Sequence, residues 1–129
     1  MSNPGDRPYR RVLVGTDGSP TATVAVDRAA AVAKAHGAAL TVLCAGRDAE
    51  PVLATEADRL AGAGLDVRTV ACTGDAVSAL DAEATHGGYD LLVVGNKGLH
   101  GFRRLNPLGS VPGLLSHHLP CTLLVVKTT

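Results

Sequence analysis

Three short stretches of this chain set glycine beside hydroxyl, amide and acidic side chains. They are Gly15-Thr16-Asp17-Gly18-Ser19, Thr73-Gly74-Asp75, and Gly95-Asn96-Lys97-Gly98, the last running on through Leu99-His100-Gly101-Phe102-Arg103-Arg104 to Gly109-Ser110. Glycine has no β-carbon to hold a ligand away and tolerates positive φ, so backbone amides in such loops can converge on an oxygen-rich group. Ser110 opens a stretch with helical patterning; the first amides of a helix lack internal partners, and its dipole favours an anion. The chemistry this composition serves is the cradling of phosphate. Glycine as a plain strand terminator and Ser110 as an ordinary helix cap are the simpler alternatives. Lys97, His100, Arg103 and Arg104 lie in or near the third stretch, where cations neutralise phosphate oxygens. Arg103 and Arg104 read first as solvated charge on a surface loop.

Other chemistries lack their residues. The Walker pattern requires a lysine followed by Ser or Thr after its last glycine, and the dinucleotide fingerprint GxGxxG should follow the first strand; neither is present. His36, His86, His117 and His118 fall at expected helix ends, where the dipole favours a cation, and they form no hydrolytic triad or metal-ligand spacing. Cys44, Cys72 and Cys121 are widely spaced and odd in number, and they read as small buried hydrophobes rather than redox centres. No general base stands out, so an enzyme is not expected. Hydrolysis of ATP would require Asp17 or Asp75 to position water, with a metal ion bridging phosphates.

The elements that must hold these loops follow from apolar patterning. Arg11 to Gly15, Ala39 to Ala45, Leu65 to Cys72, Asp90 to Gly95 and Thr122 to Val126 are short aliphatic runs of strand type. Between them, helical spacing predicts one helix from Ser19-Pro20 to about His36, a weaker one after Pro51 ending at Gly62 or Gly64, a third opening at Thr73-Gly74-Asp75 and closing at Gly87-Gly88, and a fourth from Ser110 to about His118. Strands alternating with helices, the strands nearly unbroken by polar residues, imply a parallel sheet covered on both faces. The third run, with interleaved polar residues, suits a position nearer a sheet edge. Ligands in such sheets sit beyond the carboxyl ends of the strands, where strand order reverses, and all three glycine-bearing stretches fall there.

Length and composition set the outer bounds. A chain of 129 residues with 46% hydrophobic composition makes one core, with residues 1–10 as a flexible tail and 11–129 as the domain. Twelve Lys and Arg balance twelve Asp and Glu, and aromatics are 2%, which speaks against nucleic acid. No apolar run spans a bilayer and the first residues lack a secretory signal, so a cytoplasmic protein without a membrane partner is expected.

With these residues in view, VLVGTDGS at 12–19, GDAV at 74–77, and LLVVGNKG, LGSVP and CTLLVV within 91–126 resemble the universal stress protein family. The resemblance covers nearly the whole chain. It implies a flavodoxin-like or Rossmann-like single-domain α/β/α sandwich with a five-stranded parallel sheet in the order 3-2-1-4-5. ATP-binding members carry G-x2-G-x9-G-(S/T). Transferred to this chain, Gly95, Gly98, Gly109 and Ser110 would hold ribose and phosphates, with Asn96, Lys97 and Val111 beside them. Asp17, with Gly15 and Thr16, would face the adenosine end, Gly74 would contribute from the third loop, and Ala45 would offer its backbone to adenine. The implied function is a stress-response sensor or regulator that binds an adenine nucleotide, ATP first, with Mg2+ accompanying it.

This chain departs from the pattern. Leu99 to Leu108 is ten residues, giving G-x2-G-x10-G-S, with the extra position near Asn106-Pro107, and the segment from Gly46 to Gly64 is short. Proline removes an amide donor, and some relatives with a similar LGSVP helix favour cyclic AMP, which needs fewer phosphate contacts. A third alternative is an interaction module that no longer binds nucleotide. The resemblance also places Thr122 to Val126 at the sheet edge, where two subunits would join; an apolar edge invites such pairing, unless the Lys127 to Thr129 tail blunts it. A phosphoacceptor receiver domain shares the outline, but Thr16-Asp17 and Thr73-Gly74 do not supply its acids.

Overall fold

The computed structural model describes residues 9–96 and 121–128. The chain runs β1 (Arg11–Gly15), α1 (Pro20–His36), β2 (Ala39–Ala45), α2 (Ala49–Leu60), β3 (Val67–Cys72), α3 (Ala76–His86), β4 (Leu91–Gly95) and β5 (Thr122–Val126). The five strands form one sheet in the order β3-β2-β1-β4-β5, and every pairing is parallel. The expected fold and strand order are therefore the observed ones. The expected helix from Ser110 to His118 lies outside the described residues.

Side chains alternate across the sheet, so each strand feeds two cores. Val12, Val14, Leu40, Val42, Leu91 and Val93 pack with Ala25, Val26 and Ala29 of α1 and Leu53 and Leu60 of α2. Leu13, Leu43, Leu92 and Val94 pack on the other face with Leu80 and Ala84 of α3. β1, β2 and β4 are buried on both faces, which is why their sequences are unbroken aliphatic runs. β3, by contrast, has no fully buried residue: Val67 reaches one core, Val70 and Cys72 the other, and Arg68, Thr69 and Ala71 are exposed, as suits an edge strand.

The helix boundaries are set by caps. Ser19 Oγ accepts from Ala22 N–H at 3.1 Å, Pro20 takes the first helical position, and Gly37 ends α1 in the left-handed conformation. α2 begins at Ala49, ahead of the start expected after Pro51. Pro51 therefore sits within its first turn, where a missing N–H costs no helical bond. The helix stops at Leu60, before either glycine proposed to end it. β3 begins at Val67 rather than Leu65. β4 begins at Leu91, and just before it the Asp90 carboxylate accepts from the backbone N–H groups of Arg10 and Arg11, at 2.7 and 2.9 Å. The end of the expected tail is thereby held, and Tyr9 packs edge-on against His36 with ring centroids 5.1 Å apart.

All three cysteines are free; Cys44 is buried and Cys72 and Cys121 are half-buried. Burial, then the nearby negative charges of Asp17 and Asp48, pushes the Cys44 thiol above its ordinary value of 9.0, and burial does the same to Cys72 and Cys121. Above pH 9 the unfolded chain ionises these thiols while the folded chain keeps them protonated. The native state then binds more protons, and stability falls as pH rises. The urea midpoint should accordingly drop between pH 7 and about pH 10, and replacing Cys44 with alanine should flatten that drop.

Candidate functional site

The strand order reverses between β1 and β4, and the site is built at their carboxyl ends. The β1–β4 ladder runs from Val12↔Leu91 to Val14↔Val93, after which Gly15 and Gly95 lead out of the sheet. On the other side of β1, Gly15 still pairs with Leu43, and Thr16 N–H donates to the Leu43 carbonyl at 2.9 Å. Gly46 N–H donates to the Cys72 carbonyl at 2.9 Å, and Asn96 N–H to the Val126 carbonyl at the same distance. Each loop thus leaves from a hydrogen-bonded anchor, and the segments around Gly15, Ala45, Gly74 and Gly95 emerge at one edge.

The loop after β1 is internally braced. Thr16 is buried and its hydroxyl accepts from Gly18 N–H at 3.1 Å; Asp17 Oδ1 accepts from Ser19 N–H at 2.9 Å. Gly18 takes φ +81°, which lets the chain turn into α1. Below it lies Val52 of α2, whose Cγ2 would be 3.0 Å from a β-carbon at position 18. A side chain larger than hydrogen at Gly18 would meet both a strained φ and this contact. Ala45 is half-buried at the end of β2, followed by exposed Gly46 at φ +114°. Gly74, at φ +83°, is exposed with open space around its α-carbon.

Three described helices begin at this edge; α1 and α3 carry side-chain caps, while Asp48 at the start of α2 makes no side-chain cap hydrogen bond. Ser19 serves α1, while Asp75 Oδ2 accepts from Ser78 N–H at 2.8 Å and caps α3 with a carboxylate, which disfavours an anion there. The loop after β4 brings the third glycine-bearing stretch to this edge. Of that loop, Gly95 and Asn96 are described. Gly95 is half-buried against Ala25 and Thr128, and Asn96 is exposed with Oδ1 accepting from Thr128. Lys97, Gly98, His100, Arg103, Arg104, Gly109, Ser110 and Val111 lie outside the described residues, as do Asn106, Pro107, His117 and His118. Gly15, Thr16, Asp17, Ala45, Gly74, Gly95 and Asn96 are brought to one edge as expected. Thr128 was not singled out from the sequence, since only the fold returns it to Asn96.

A cavity of about 430 Å³ opens at the opposite, amino end of the sheet, lined by residues including Arg10, Lys34, Gly37 and Asp66. Its charges are mixed and it lies away from the strand ends where this topology places ligands. Size alone does not make it the site.

Comparison with known proteins agrees with the geometry. The model of the universal stress protein family matches residues 8–127. A universal stress protein solved in complex with cAMP is 38% identical, with a TM-score of 0.79, covering 94% of this chain and 98% of that one. Protein Rv1636 from Mycobacterium tuberculosis H37Rv is 41% identical, with a TM-score of 0.64, covering 94% and 97%. The universal stress protein YxiE of Bacillus subtilis is 25% identical over 148 residues, 92% of this chain and 99% of its own length.

Proposed function

Because the chain belongs to the universal stress protein family, we propose that it binds an adenine nucleotide at the carboxyl edge of β1 and β4 and acts as a cytoplasmic sensor or regulator of the stress response. Cyclic AMP is the preferred ligand in this reading and ATP the alternative. One observation carries it: glycine-bearing loops gather at the switch point of a fold shared with a chain solved in complex with cAMP. Two features lower the number of phosphates the site needs to meet. The N-termini of α1 and α3 are occupied by their own caps, and the stretch between Gly98 and Gly109 carries an additional residue and a proline.

The described carboxylates support binding without turnover. Asp17 and Asp75 each accept a backbone N–H of the following helix start, which employs them in loop structure rather than in activating water. Among the described residues, no group of three or more His, Cys, Asp and Glu side chains is placed to hold a metal ion. If ATP binds, its magnesium would be carried on the nucleotide's own phosphates. Among the same residues no helix is long and apolar enough to cross a membrane.

Titration calorimetry with cyclic AMP, ATP and GTP tests the reading. Cyclic AMP should bind most tightly, ATP more weakly, and GTP should give no heat; silence toward both adenine nucleotides would contradict it.

The second part of the proposal is a homodimer through Thr122 to Val126. Among the described residues β5 pairs only with β4, and Val125 is 40% exposed on it. An apolar edge of this kind is protected by pairing with a second copy. Val125→Glu would put two carboxylates near the two-fold axis and should halve the mass seen by light scattering, leaving the melting curve nearly unchanged.

A further inference from the structure

The segment after β5 makes contacts that the glycine pattern does not account for. Thr128 N–H donates to Asn96 Oδ1 at 2.8 Å, and the Thr128 hydroxyl donates to the same oxygen at 3.0 Å. A backbone N–H can only donate, so the atom it meets must be the carbonyl oxygen of the Asn96 amide. The methyl group of Thr128 covers Gly95, and a β-carbon there would come within 3.2 Å of Thr128 Cγ2. Two hydrogen bonds and one apolar contact thus converge on the residues that open the loop after β4. They come from 32 positions downstream. The β4–β5 ladder is already complete at Gly95↔Val126, so sheet pairing does not require them.

We infer that Thr128 is a positioning residue for nucleotide binding, a role that rests on the functional reading above. Its two hydrogen bonds occupy the acceptor side of Asn96 and leave the amide NH2 as that side chain's remaining hydrogen-bonding group. An unrestrained asparagine offers donor or acceptor as it rotates; the latched one offers donors, which suits an anionic oxygen. Holding a donor in place before the ligand arrives removes the ordering cost from binding.

A series at position 128 separates these contributions by calorimetry with cyclic AMP and ATP. Thr128→Ser keeps both donors and should bind as the wild type does. Thr128→Val keeps the methyl and loses the hydroxyl, and should weaken binding by about threefold; Thr128→Pro loses both donors and should weaken it by about tenfold. Melting temperatures should stay within about 2 °C of wild type, since the contacts are peripheral. Hydrogen exchange at the Asn96 amide should quicken in Thr128→Pro. If the wild type binds and Thr128→Pro binds equally well, the positioning role is overturned while the nucleotide reading stands. Equal weakening in all three variants would overturn it too, because the hydrogen bonds would then not be the cause. A wild-type protein that binds neither nucleotide removes the reading and this role together.

Discussion

Gly95→Asp should weaken adenine-nucleotide binding by about a hundredfold or more while the protein stays folded. The substitution sets a carboxylate at the carboxyl end of β4, where phosphate oxygens are proposed to lie, and juxtaposed like charges cost several kcal/mol, with each ~1.4 kcal/mol worth a factor of ten. The fold tolerates the change for reasons visible at the site. Gly95 does not adopt a positive φ, so no backbone strain opposes a side chain. The nearest atoms to an added β-carbon are Thr128 Cγ2 at 3.2 Å and Ala25 Cβ at 3.8 Å, and the first of these belongs to a half-exposed residue after the last strand. The expected loss of stability is about 1 kcal/mol. Gly95→Ala serves as the control, adding the same β-carbon without charge. Calorimetry on both variants should show a large loss for Asp and a small one for Ala. Equal affinities in wild type and Gly95→Asp would take the loop after β4 out of the account.

The largest expected effect on stability lies beneath the loop after β1. Glu56 of α2 is 3% exposed, and its carboxylate is met by Arg59 Nε at 2.8 Å and a second guanidinium nitrogen at 2.6 Å. Arg59 also reaches Asp27 of α1, so one cation ties the two helices together. Arg59→Met leaves Glu56 buried without its partner. Breaking a fully buried pair costs about 3–5 kcal/mol; with Arg59 at 34% exposure water can partly replace the guanidinium, and about 2–3 kcal/mol is expected. Replacing Glu56 with leucine as well removes the stranded carboxylate and should recover most of that loss. Urea denaturation of the single and double variants measures both quantities. A double variant no more stable than Arg59→Met would show that the buried charge was not the cause. The pair bears on the site as well, because Glu56 and Arg59 line a cavity of about 160 Å³ with Gly18 and Val52. Loosening α2 there withdraws the support on which the turn into α1 rests.

Most of the scaffold was legible because burial wrote it into the composition. β1, β2 and β4 lie between helical layers, so their residues had no reason to alternate, and the runs VLV, LTVLC and LLVV stand out. Ser19-Pro20 marked the start of α1 for a local reason, a hydroxyl cap followed by a ring that suits the first turn. The start of α2 is less legible, because Pro51 reads as the residue before the helix, whereas proline is tolerated within the first turn. Asp48, its N-cap, makes no side-chain cap hydrogen bond that would have announced the boundary. β3 was drawn too long at its start because Leu65 is apolar, although the edge ladder begins only at Leu40↔Val67.

The candidate site divides along the same line between local and distant causes. Gly15 and Gly95 were readable as the ends of strand runs, and Asp17 and Gly74 as loop residues just beyond such ends. Thr16 was readable as a neighbour of the site but not as a brace, since its hydroxyl serves Gly18 N–H within the turn. Thr128 carried no local signal. Its importance comes from β5 lying beside β4, which brings residue 128 to residue 96, and no periodicity in the segment itself expresses that pairing. The occupancy of the α1 and α3 N-termini by Ser19 and Asp75 was foreseeable in part, as both are common caps, but which atoms they satisfied had to be seen.

The central claim is one of location, and amide chemical shifts of isotope-labelled protein test it most directly. On titration with cyclic AMP, the resonances of Gly15 to Ser19, Ala45 to Gly46, Thr73 to Asp75 and Gly95 to Asn96 should move together along one saturable curve. Those of Gly37, Ala38 and Gly64, at the opposite end of the sheet, should stay still. Shifts confined to the amino end, or none at saturating cyclic AMP and ATP, would contradict the account.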